Sequence, residues 1–60
     1  MTRYVVVYVW RDPTKAPKRA AILPFNPEYP SSRAYAESTA YRVRQLYELQ
    51  GRQVASVVEG

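Results

Sequence analysis

The sequence predicts an α+β domain of order β-β-α-β, in which a three-stranded antiparallel sheet carries one helix on one face. Three observations predict it. A dense Val/Tyr/Trp run lies near the N-terminus, one long stretch has helical periodicity and ends at a glycine, and a second β-branched run closes the chain.

The first run, Arg3 to Arg11 (RYVVVYVWR), has the residues that suit a pleated, half-buried surface, and arginines bracket it as expected of a strand with wet ends. Asp12-Pro13 ends it, because proline cannot continue a ladder and aspartate favours turns. Thr14 to Lys18 then reads as an exposed hairpin loop. Arg19 to Phe25 (RAAILPF) is a second, weaker strand, placed at a sheet edge by Pro24, whose missing N–H an interior strand could not spare. Pro24, Pro27 and Pro30 recur every third residue. That spacing permits a short polyproline stretch, or a loop stiffened to deliver the chain to the helix. Ser31 or Ser32 is the expected N-cap of a helix from about Ser32 to Gln50, and Gly51 ends it. Arg33–Glu37 and Arg44–Glu48 have the i,i+4 spacing of helix-surface ion pairs. Tyr35, Ala36, Thr39, Ala40, Val43, Leu46 and Tyr47 fall on the side expected to meet the sheet. Gln53 to Glu59 is the third strand.

A hairpin joins the first two strands, and the helix carries the chain across the first strand to its far side. The expected sheet order is therefore 2-1-3, with both neighbouring pairs antiparallel. One helix covers one face. Alternation sorts Val5, Val7 and Val9 to one side of the first strand and Tyr4, Val6, Tyr8 and Trp10 to the other. The compact valines suit packing under Ala36, Ala40 and Val43, which leaves Tyr4, Tyr8 and Trp10 as an aromatic stripe where a free sheet face normally carries polar residues.

Composition narrows the function classes. Sixty residues suit one domain, residues 1–60, and a chain of that size buries about 60% of its unfolded surface, so its own core is small. There is no cysteine to form a disulfide and no histidine or cysteine to ligate a structural zinc, which leaves either association, including a homodimer, or a monomer with a well-idealised core. Absence of cysteine fits a cytoplasmic protein. Tyr4 to Trp10 is too short to span a bilayer, so no membrane partner is expected. Met1 reads as a native start. Nine Lys+Arg against five Asp+Glu give a net charge of +4, which favours an anionic partner or simply aids solubility.

Enzymatic chemistry is not expected. Without His or Cys, a general base near neutrality would have to be a strongly shifted Glu or Lys. The carboxylates Asp12, Glu28, Glu37, Glu48 and Glu59 are scattered over the predicted elements, and no glycine-rich phosphate loop is present. No metal and no cofactor are therefore expected.

The candidate contact residues are Tyr4, Tyr8, Trp10, Arg11, Lys15, Lys18, Arg19 and Tyr41. The aromatic stripe has three readings: core, if the helix covers the other face; the centre of a protein interface, which favours aromatic anchors; or a stacking platform for single-stranded nucleic acid, with Arg3, Arg11 and Arg19 on phosphates. The basic loop, Arg11, Lys15, Lys18 and Arg19 against Asp12, suits a phosphate backbone or an acidic protein patch, or is merely solvated. Tyr41 is a large aromatic on the polar side of the helix. The leading expectation is a non-enzymatic protein-binding module, an adaptor or inhibitor; a nucleic-acid binder is the alternative. In type, though through no shared motif, the chain resembles phage- and plasmid-encoded accessory proteins that block host machinery.

Overall fold

A computed structural model describes residues 2–60; Met1 lies outside it. Its elements are β1 (Arg3–Trp10), β2 (Lys18–Phe25), α1 (Pro30–Leu49) and β3 (Gln53–Glu59). The strands form one sheet in the order β2-β1-β3, with β1 antiparallel to both neighbours. This is the predicted α+β architecture and strand order. The most apolar strand takes the centre, and the strand with Pro24 takes an edge.

The helix covers the valine face. Val5 and Val7 form the core with Phe25, Ala36 and Ala40, and Ala21, Leu23, Val43 and Val58 pack around it. Register explains the membership: Val5 lies between Leu23 and Val58, so one row of the sheet supplies three aliphatic side chains to the same side. Ala36 and Ala40, one helical turn apart, let the helix axis approach that row closely.

Three expectations about α1 need correction. The helix begins at Pro30, with Tyr29 in the N-cap position and no side-chain cap, so neither Ser31 nor Ser32 is the cap. Proline suits the first helical position because its φ is already helical and its missing N–H would be unpaired there anyway. Ser32 instead ties the preceding turn to the helix: its hydroxyl contacts the Asn26 and Tyr29 carbonyls at 2.9 and 2.7 Å and accepts the Asn26 N–H at 3.2 Å. Thus Pro24, Pro27 and Pro30 are divided among strand, turn and helix, and no polyproline segment exists.

Secondly, Tyr35 and Leu46 are exposed and do not face the sheet. At 100° per residue they stand well over 100° from Ala40, and a single helix on a flat sheet buries a narrower stripe than its apolar residues span. Thirdly, Arg33–Glu37 forms at 3.1 Å, but Arg44 does not pair with Glu48. Arg44 lies on the sheet-facing flank and reaches over β3 to the Ser56 hydroxyl at 3.4 Å, laying its aliphatic stem on the sheet.

The C-terminal end of α1 is closed by Gly51, whose φ is +77°. The Gly51 N–H donates to the Glu48 carbonyl at 3.0 Å and the Arg52 N–H to the Tyr47 carbonyl at 3.1 Å. These are the paired bonds of a Schellman ending. They place the Arg52 guanidinium 5.5 Å from the centroid of the Tyr47 ring, where a hydrophobic contact commonly accompanies this motif.

Candidate functional site

The predicted contact residues separate into three places. Tyr4, Tyr8 and Arg19 belong to the open face of the sheet. Trp10, Arg11, Lys15 and Lys18 gather at the hairpin end. Tyr41 is exposed on the outer side of α1, across the helix layer from the open face.

At the centre of the open face is an aliphatic row. Val6 pairs with Ile22 on one side and Val57 on the other. Ile22 and Val57 are 51% and 49% exposed, while Val6 between them is only 2% exposed. Tyr4 is 40% exposed and Tyr8 half-buried. The stripe is therefore aliphatic at its middle and aromatic at its flanks.

Tyr8 is held in place. Its hydroxyl donates to a Glu59 carboxylate oxygen, and the other oxygen of Glu59 lies 3.8 Å from an Arg19 guanidinium nitrogen. Simple alternation from Ala21 would put Arg19 on the helix side. A bulge intervenes: Val7 pairs with Ala21 but Tyr8 with Arg19, so Ala20 is the extra residue and Arg19 is turned onto the open face. With both Arg19 and Glu59 well exposed, the pair contributes little to stability by itself. What it does is fix the Tyr8 ring.

The basic end is built by two turns. In the hairpin loop, the Lys15 N–H donates to the Asp12 carbonyl at 3.0 Å, closing a four-residue turn with Pro13 at its second position. The Asp12 carboxylate accepts the Thr14 N–H at 3.0 Å and the Thr14 hydroxyl at 2.8 Å. Those two bonds, the backbone one first, hold its pKa below the ordinary value of 3.8. From the other side the Schellman ending brings in Arg52. The two turns flank a half-open pocket of about 360 Å³ lined by Trp10, Arg11, Asp12, Lys15, Lys18 and Arg52, among others.

Sequence reasoning missed Ile22, Val57 and Glu59 on the open face and Arg52 at the basic end. The first three could have been found by writing out the residues opposite Val6 and Tyr4 in the predicted strand order. Arg52 had no such signal. Arg3, grouped with the phosphate-binding set, stands at the other end of β1 against Gly60. Over eight residues that is about 26 Å from Arg11 at the rise of a strand. Arg33 is committed to Glu37.

The chain matches no known protein family, no curated protein and no solved structure. Among the described residues, no helix is long and apolar enough to cross a membrane.

Proposed function

We propose that this chain is a small, non-enzymatic protein-binding module of the cytoplasm, an adaptor or inhibitor that docks its partner on the open face of the sheet. The observation that carries the reading is the row Ile22–Val6–Val57 spanning all three strands, half-exposed at both ends where a solvated face would be polar. Beside it, Tyr8 is a restrained aromatic and Tyr4 an accessible one, and rigid aromatics beside aliphatic surface are what the centre of an interface uses. The surface area agrees. The chain exposes 4534 Å², against roughly 4,000 Å² for a compact monomer of this mass.

Nucleic-acid binding on the same face is the weaker reading. Stacking needs a free ring and nearby cations, but the Tyr8 hydroxyl and Arg19 are both engaged with Glu59 and Arg3 is remote from the loop. A homodimer is supported by a separate feature, the free edge of β3: its seven residues include no proline and carry one charge, at the terminal Glu59.

The test is the double variant Ile22→Ser, Val57→Ser. Both side chains are half-exposed, so circular dichroism should show the native fold. Affinity capture from the source cell should retain a specific partner with the native chain and lose it with the variant, and light scattering separates a 6.9 kDa monomer from a dimer. Equal capture by both folded proteins overturns the reading.

A further inference from the structure

The basic pocket has features that a solvated loop does not require. Four cations, Arg11, Lys15, Lys18 and Arg52, line it against one carboxylate, and that carboxylate is already occupied by Thr14. They come from two separate chain segments, the hairpin loop and the α1–β3 turn. Two turns must fold to bring them together. Arg52 is fixed at this position by its backbone bond to Tyr47 and by lying over the Tyr47 ring. Its Nε is buried, yet finds no hydrogen-bond partner among the described residues. The Arg44 Nε, away from the pocket, is in the same condition, and what sets the pocket apart is its four cations against one carboxylate.

We propose that this pocket binds a small phosphorylated ligand of nucleotide size, its phosphoryl oxygens held by Arg11, Lys15, Lys18 and Arg52 and its organic part against Trp10. Two guanidinium and two ammonium groups exceed what a single carboxylate needs, and they match a group carrying two or more negative charges. Trp10, at the end of β1, also lines the pocket, and an indole offers an apolar wall with a π-face suited to a planar ring. The volume of about 360 Å³ is at the small end of the range for small-ligand sites, roughly 300–1,000 Å³. A nucleic-acid strand would need cations continuing beyond the pocket. Arg19 is turned away to Glu59 and Arg33 is paired with Glu37, so the cluster is local.

Trp10 is the sole tryptophan and lines the pocket, so its fluorescence reports binding directly. The probes are pyrophosphate and ADP, with a single-stranded oligonucleotide as the third arm. Pyrophosphate and ADP should each give a saturable change, and ADP should bind the tighter of the two. Lys15→Gln with Lys18→Gln, both in the exposed hairpin segment, should weaken ADP about tenfold or more. Arg52→Gln, with its fold checked by circular dichroism, should do the same. Arg42→Gln removes the same charge from the outer side of the helix and should change affinity less than about twofold. The proposal is overturned if neither probe gives a saturable change, or if Arg42→Gln weakens binding as much as the loop variants. It is also overturned if the oligonucleotide binds more tightly than ADP, since the site would then belong to a strand. None of these outcomes depends on Ile22 or Val57.

Discussion

Replacing Gly51 by alanine tests whether the turn that delivers Arg52 is held by backbone conformation alone. The φ of +77° is a left-handed conformation, and an added Cβ would meet no heavy atom within 4 Å. The cost therefore contains no steric clash with neighbours. A residue with a Cβ loses roughly 1–2 kcal/mol in this conformation. Alanine also restricts the unfolded chain, which returns roughly 0.4–1 kcal/mol. The net loss is about 1 kcal/mol, out of about 3–9 kcal/mol for a domain of this length. In a chain this small that lowers Tm by about 4–8 °C. Gly51→Asn should lose less, because asparagine tolerates the left-handed region. Thermal unfolding followed by far-ultraviolet circular dichroism measures both. If Gly51→Ala unfolds at or above the native temperature, the turn is not left-handed in solution and the placement of Arg52 falls with it.

Two further expectations follow from the core and the hairpin loop. Val7 is wholly buried, so Val7→Ala should cost about 2 kcal/mol, from two lost carbons at about 0.8 kcal/mol each plus the cavity. Leu49→Ala, at the exposed end of the helix, should stay within about 0.5 kcal/mol; urea unfolding compares them, and equal losses would refute the burial assignment. The carboxyl of Asp12 has a lowered pKa, so its contribution is present above 3.8 and is lost as the pH falls through the lower folded value. Thr14→Val removes the hydroxyl and keeps the N–H, so the Asp12 pKa should rise in an NMR titration without reaching the ordinary value. No rise would mean that the hydroxyl bond at 2.8 Å does not form.

The layout was legible where one physical cause dominated. Val5, Val7 and Val9 alternate with Tyr4, Val6, Tyr8 and Trp10, and β-branched side chains pack more closely under a helix carrying Ala36 and Ala40 than tyrosines would; the helix accordingly covers the valine face. Pro24 excluded its strand from the centre, and Gly51 ended the helix. Legibility failed where a local irregularity redirects a side chain. The bulge at Ala20 turns Arg19 to the face opposite the one that alternation gives it. Arg52 reaches the hairpin end only because two backbone bonds reverse the chain after Tyr47. Tyr35 and Leu46 show a different failure: periodicity gives the direction of an apolar side chain but not how wide a stripe the partner layer can cover.

The molecule is thin. Its Cα envelope is 37 × 20 × 10 Å, a slab of two layers in which one helix must serve three strands. The described residues supply one helix and no second covering layer, so the row Ile22–Val6–Val57 lies on their surface. A partner seated there would extend the protection that Val6 already has to Ile22 and Val57, and would stabilise the domain by mass action. At a hundredfold excess over Kd that amounts to about 2.7 kcal/mol. Set against about 3–9 kcal/mol for the isolated fold, this is a large share. If the proposed docking on the open face holds, substitutions of Ile22 and Val57, both half-exposed, should weaken binding far more than they weaken the free domain.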